Sequence, residues 1–279
     1  MEGFVALWMH RGGRVGILLL ALAILVAVFA PLLTPYGPHE QIRGHELMGM
    51  SWEHPFGTDL LGRDIYTRTL FGARVSLIAG SLSVLLGAVL GTFMGITAGY
   101  LGSWIDAAMM RLADAISAFP AILLGAAVVA VLGPGFMQVA IAIAIAQSPQ
   151  FARLARAITL VESKQEYVEA AEAMGASRTR VMVKHLLPNA MGPLVVQCSL
   201  SVGIAILLET GLSFLGLGVQ PPTPSWGQML ADALRFIEII PAYAVLPGLA
   251  LTVVLVGVNL IADAMRDKLD PQHVAQKGA

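Results

Sequence analysis

The sequence predicts an all-α polytopic membrane protein with six transmembrane helices. Three observations carry that reading. Hydrophobic residues make up 57% of the 279 positions and charged residues only 13%, against roughly 25% charged in an ordinary soluble domain. The apolar residues gather in runs long enough to cross a bilayer. One polar stretch rich in helix formers interrupts them between the fourth and fifth runs. A net charge of −1 leaves no basic surface for nucleic acid.

Residues 15–33 carry no charge and reach about 28 Å as a helix, enough for a hydrocarbon core of about 30 Å. Arg11 and Arg14 precede them, but no small-residue cleavage site follows, so the run reads as an uncleaved anchor. Further spans fall at 75–99, 116–132, 136–151, 194–217 and 242–262. The third and fourth are separated only by Gly133-Pro134-Gly135. A single helix over 116–151 would run about 54 Å, too long for one crossing, and Gly-Pro-Gly breaks helices. Two spans result, giving six. Lys and Arg then split twelve to five in favour of the side holding residues 1–14, the loop 99–114, the loop 152–193 and the tail 265–279. That side is expected to be cytoplasmic, with 15–264 as the membrane domain. A five-span chain with its N-terminus outside satisfies the charge rule as well, so helix length decides.

Within the spans, Gly87, Gly91, Gly95 and Gly99 recur every fourth residue and form a smooth strip for close helix packing, within the chain or with another. Glu209 is the clearest carboxylate inside a span. A charge at a helix centre costs about 2.5–3.5 kcal/mol on insertion scales, so it reads either as a pathway-lining residue or as a hydrogen-bonded packing residue. Cys198 has no partner for an intrachain disulfide, because it is the single cysteine. His39, His45 and His54 share the first outer loop at separations matching no standard metal spacing and read as ordinary loop histidines. No nucleophile with a base is apparent: Ser213 sits in G-x-S-x-x-G rather than G-x-S-x-G. A secondary transporter would need more coupling carboxylates and inverted repeats.

The polar interruption runs "SKQEYVEAAEAMGASRTRVMVKHLLPNAMGP" from Ser163. Ser163 and Glu166 make a capping box, predicting a helix from Lys164. Gly175 is placed to end it in a left-handed turn. Ser177 can cap a second helix that stops near Pro188. Ala170, Ala171 and Ala173 keep the first helix thin, and Tyr167, Val168 and Met174 supply apolar contact. Glu166, Glu169 and Glu172 form an acidic edge. Such a helix either lies in a groove on another protein or stands as a solvated loop helix with no partner, and these residues alone do not choose between the two.

Glu169-Ala170-Ala171, then Gly175, then Leu187-Pro188 nine residues and a two-residue step later, resembles the signature loop of ABC importer permeases. His185 stands where the general pattern has isoleucine, and His-x-Leu-Pro-Asn is usual in the peptide and nickel branch. "HPFGTDLLGRDIYTR" (54–68) and "LSFLGLGVQPPTPSWG" (212–227) resemble that branch's first outer loop and fifth-span exit, in the C-type subunit of dipeptide or oligopeptide importers. The resemblance covers nearly the whole chain. It implies a type I importer permease fold with a cytoplasmic coupling helix between helices 4 and 5. It also implies ATPase-coupling roles for Tyr167, Glu169, Ala170, Ala171, Met174, Gly175, Leu187 and Pro188.

The implied partners are a second permease subunit in a heterodimer, two cytoplasmic ATP-binding subunits and an extracytoplasmic peptide-binding protein. The setting is a bacterial or archaeal plasma membrane. No cofactor is expected on this chain, with ATP and Mg²⁺ on the partner ATPases, because the sequence lacks G-x-x-x-x-G-K-[ST]. Within the same branch, nickel is the alternative substrate. An amphipathic helix is predicted from Trp226, with Trp226, Met229, Leu230, Ala233, Leu234 and Ile237 on one stripe. Asp59/Arg63 and Asp64/Arg68 are four residues apart and suggest a helix leading into the second span. With Trp226, Asp59, Arg63 and Asp64 are candidates for contact with the binding protein; the equal alternative for the Trp226 helix is that it only braces the spans.

Overall fold

A strip of glycines dictates the closest packing in the molecule. The computed structural model describes residues 10–269, so the expected segments 1–14 and 265–279 lie partly outside the described residues. Among the described residues every regular element is a helix: α1 (Arg11–Leu33), α2 (Ile65–Leu101), α3 (Ser103–Ser117), α4 (Ala121–Leu132), α5 (Phe136–Glu162), α6 (Glu166–Ala173), α7 (Arg178–Phe214), α8 (Trp226–Leu234) and α9 (Ala242–Leu269). Helices α1, α2, α7 and α9 are each long and apolar enough to cross a membrane, and the pair α3–α4 qualifies together despite a 96° bend between its halves.

The glycine strip on α2 packs against α5 of the same chain. A Cβ on Gly91 would stand 2.2 Å from the Ser148 carbonyl oxygen, and one on Gly95 would stand 2.3 Å from that of Ala152. Gly99 meets Thr159, and Gly87 meets Ala144. Only hydrogen at these positions lets the two backbones touch, which in lipid replaces the missing hydrophobic drive with dense van der Waals contact. Residue numbers rise together along both helices, so α2 and α5 run in the same direction. The bent pair α3–α4 therefore carries the chain back along the bundle between them.

The first and last helices pair by the same means, in opposite directions. A Cβ on Gly16 would lie 2.7 Å from the Gly257 carbonyl oxygen. His10 at the start of α1 stands 3.6 Å from Asp267 near the end of α9. Tyr100, at the end of α2, donates a hydrogen bond to Glu172 of α6. The other end of α1 lies against the start of α2, where Arg74 donates to the Ala27 and Val28 carbonyls. The described termini and α6 thus share one end of the bundle, and the loop 34–64 caps the other.

Prolines inside helices free the carbonyl four residues back, and three cases here are resolved differently. Pro31 frees the Ala27 oxygen, which the Arg74 guanidinium takes. Pro149 frees that of Ile145, which the Ser148 hydroxyl takes at 2.9 Å. Ahead of Pro188 the helix instead widens to a π turn over Met182–Leu186, with Leu187 N–H bonding to Met182 oxygen. The second helix of the hairpin accordingly does not stop near Pro188. It runs on as α7, whose fifth span was expected only from 194.

Other boundaries also move. Helix α2 begins at Ile65 rather than 75, α5 continues to Glu162 rather than 151, and α9 reaches Leu269 rather than 262. The expected span 116–132 is broken: Pro120 bends it after Ser117, and only Ala121–Leu132 is straight. Proline biases its predecessor away from helical backbone. The non-helical part of the expected loop 152–193 shrinks to the short joints around α6.

Candidate functional site

Two regions of the sequence carried functional expectations, and they fold at opposite ends of the bundle. At one end, α6 spans Glu166–Ala173 and begins two residues later than predicted, after Gln165. Ser163 remains in helical conformation and closes α5 through a 2.9 Å bond to Thr159 oxygen, so its side chain caps nothing here. The far end behaves as the sequence implies. Gly175 has φ +83°, and the Gly175 and Ala176 amides donate to Glu172 and Ala171 oxygens at 2.9 and 3.0 Å, a left-handed stop that favours glycine. Ser177 then caps α7 by accepting from Arg180 N–H.

The helix has two unlike faces. Val168 is buried in a cluster with Val181, Leu186 and Ala190, and Ala171 is buried too. Tyr167, Glu169, Ala170, Met174 and Gly175 face outward, Met174 at 82% exposure. Pro188 is exposed and Leu187 half-buried at the foot of α7. Of the expected coupling residues, Ala171 is thus a packing residue. Tyr167 joins three elements: its hydroxyl donates to Glu162 of α5 and accepts from Asn189 of α7 at 2.8 Å. Partial burial and the Glu162 carboxylate both raise its phenol above the ordinary range. The outward face is mostly small, apolar or acidic, and it rides on a rigidly held inner face.

At the cap end the two other motif stretches meet. Arg68 donates to the carbonyls of Pro38 and Pro222 at 3.0 and 3.3 Å. Trp226 Nε1 donates to Thr69 oxygen at 2.9 Å and its indole covers Gly72. The expected helix through Asp59/Arg63 and Asp64/Arg68 does not form. Asp59 closes a turn by accepting from Leu61 and Arg63 amides, and pairs with Arg63 Nε at 2.6 Å and Arg68 Nε at 3.5 Å. Asp64 instead caps α2, accepting from Thr67 N–H at 2.7 Å, a role worth about 1 kcal/mol. A short carboxylate serves better as a cap before the helix than as a partner within it.

The placement corrects one expectation. Asp59, Arg63, Asp64 and Trp226 are all buried, so they shape the cap from inside rather than presenting a surface to a partner. Trp52, Met50, Leu60 and Leu61 are the exposed large apolar side chains of the same loop. Helix α8 is also shorter than predicted. Trp226, Met229 and Ala233 bury as expected, but the helix ends at Leu234, which with Ile237 points outward.

Glu209 is 1% exposed. It accepts hydrogen bonds from Ser76 of α2 at 3.1 Å and Ser213 of α7 at 2.7 Å, tying the two helices together. Of its two readings, the packing role fits this geometry and the pathway-lining role does not. The loop histidines hold a surprise that spacing concealed. His39 bonds to Pro222 oxygen, but His45 Nδ1 and His54 Nε2 stand 3.2 Å apart. The loop between them folds back on itself, a contact that no linear pattern announces.

Comparison with known proteins places the chain. The family profile "Binding-protein-dependent transport system inner membrane component" matches residues 87–273. The chain belongs to this family of binding-protein-dependent permeases. A second profile, the N-terminal TM domain of oligopeptide transport permease C, matches residues 5–49 of the permease. It is 44% identical over 271 residues to a dipeptide transport system permease protein of Alkalihalophilus pseudofirmus, covering 97% of this chain and 89% of the relative. It is 43% identical over 269 residues to a di/tripeptide transport system permease protein of Pseudomonas aeruginosa, covering 94% and 89%. It is 45% identical over 256 residues to a glutathione transport system permease protein of Escherichia coli, covering 91% and 84%. Its fold resembles that of a chain of the MetNI methionine ABC transporter in inward-facing form, with TM-score 0.55, 17% identity and coverage of 71% and 96%. The permease is thus a multi-pass membrane protein of the importer-permease fold.

Proposed function

We propose that this chain is the permease subunit of an ATP-driven, binding-protein-dependent importer of dipeptides or oligopeptides. The observation that carries the reading is α6: a short helix with an anchored inner face and a free outer face. In this reading the outer face, with Tyr167, Glu169, Ala170, Met174 and Gly175, docks in a cytoplasmic ATP-binding subunit. Closure of two such subunits around ATP and Mg²⁺ pulls the hairpins and tilts the bundle. Because Tyr167 and Val168 tie α6 to α5 and α7 together, a pull on α6 moves both helices.

The chain crosses the plasma membrane six times in this proposal, α3–α4 making one bent crossing. The parallel run of α2 and α5 and the antiparallel run of α1 and α9 support that count. The end bearing α6 and both described termini faces the cytoplasm, in keeping with the excess of Lys and Arg in the segments assigned to that side from the sequence. A second permease subunit supplies the other half of the pathway. The cap meets a peptide-binding protein through its exposed side chains, Trp52 and Leu60 among them, while Asp59, Arg63, Asp64 and Trp226 hold the cap's shape. Peptide as cargo rests on the relatives whose names specify it.

A Met174→Cys variant in the reconstituted complex tests the docking. Cross-linking to the ATP-binding subunit, together with peptide uptake that stops when ATP is withheld, is the expected result. Uptake sustained by a proton gradient alone, without ATP, refutes the proposal.

A further inference from the structure

We propose that His45, His54 and Glu53 form a binding site for a divalent cation of the zinc type on the cap of the bundle. Each of the three side chains offers one ligand atom, and these atoms lie within 4.8 Å of one another. Two nitrogen ligands held at about 2.0–2.1 Å by a tetrahedral zinc stand about 3.3 Å apart. His45 Nδ1 and His54 Nε2 are 3.2 Å apart, so the pair can receive the ion with little movement. Glu53 adds an oxygen, and the fourth position falls to water.

The surroundings fit as well as the ligands. His54 is fully buried and its other nitrogen, Nδ1, is 2.9 Å from Asp64 Oδ1. A proton on Nδ1 shared with that carboxylate leaves Nε2 with a free lone pair facing His45. Carboxylates on the far nitrogen of a metal-bound histidine orient the ring and raise its basicity in this way. Tyr36 stacks on the ring at 4.9 Å and holds its plane. His45 is half-buried and Glu53 exposed, which gives the ion a route in from solvent. Asp64 also caps α2, so an ion here fastens the 45–54 fold of the loop to the start of that helix. The competing account is a histidine–histidine hydrogen bond with no ion.

The experiment uses the full chain in detergent, purified without a polyhistidine tag and stripped with chelator, titrated with zinc chloride by calorimetry. The site predicts one saturable equivalent. His45→Ala lowers the affinity at least tenfold and Glu53→Gln several-fold. His39→Ala, outside the cluster, leaves it unchanged. Cobalt(II) in place of zinc gives the visible absorption of a four-coordinate ion in the wild type, and His45→Ala loses it. Melting of the metal-free variants checks that each is folded. The proposal fails if no single saturable equivalent binds. It also fails if folded His45→Ala binds zinc as tightly as the wild type, or if His39→Ala loses as much affinity as His45→Ala.

Discussion

Replacing Gly175 separates the shape of the hairpin from everything else about it. The residue sits at φ +83°, and a Cβ built there meets no heavy atom within 4 Å. Steric neighbours therefore contribute nothing, and the whole cost is the left-handed backbone. That cost is about 1–2 kcal/mol for an ordinary L residue, greater for a β-branched one, and smaller for Asn, which tolerates the conformation. One to two kcal/mol shifts a local equilibrium about 5–30-fold, here away from the turn in which the Gly175 and Ala176 amides cap α6. Gly175→Val is expected to lower ATP-dependent peptide uptake in proteoliposomes by at least the upper end of that range, about 30-fold. Gly175→Ala falls between, and Gly175→Asn stays near wild type. Membrane insertion is unaffected in all three, because the turn lies outside the spans. If Gly175→Val transports like the wild type, α6 does not carry the coupling. If Gly175→Asn is as damaged as Gly175→Val, the position senses size rather than handedness, and the argument fails.

Three further outcomes follow from the packing. At Gly95 an added Cβ would lie 2.3 Å from Ala152 oxygen, whereas ordinary contact begins at 3.4 Å. Gly95→Ala must therefore push α2 and α5 about 1 Å apart, at about 1–3 kcal/mol, and lower the detergent melting temperature; Gly192→Ala, with open space around it, does not. Arg74→Met leaves the Ala27 carbonyl without its donor and costs about 1–3 kcal/mol. In a Pro31→Ala background the restored amide serves that carbonyl, so a double-mutant cycle in a thermal or denaturant assay gives a clear coupling energy. Glu209→Gln retains an acceptor and a donor for Ser76 and Ser213, so it keeps both melting temperature and uptake. Loss of uptake with unchanged melting restores a pathway role to Glu209.

The sequence on its own determined what depends on a few neighbouring residues. Run length and the Gly133-Pro134-Gly135 break separated α4 from α5, Gly175 stopped α6, Ser177 capped α7, and the four-residue glycine repeat marked a packing face. Each signal acts within a helical turn or two of its own position, so it survives in a linear string. Helix ends were harder to place. Ser163 is a good cap in isolation, yet it is held in the last turn of α5, and Pro188 lost its power to stop a helix once a π turn made room for its ring.

Only the tertiary structure decided which distant groups meet. It set the glycine strip against α5, supplied Arg74 to a carbonyl freed by Pro31, and brought Ser76 to Glu209. It also turned Asp59, Arg63, Asp64 and Trp226 inward and closed His45 onto His54. None of these contacts is local, and for the polar groups within the bundle the physical reason is shared. A polar group in a membrane bundle must find its hydrogen-bond partner inside the protein, and that partner is chosen by how helices cross and loops fold back, which spacing along the chain does not record.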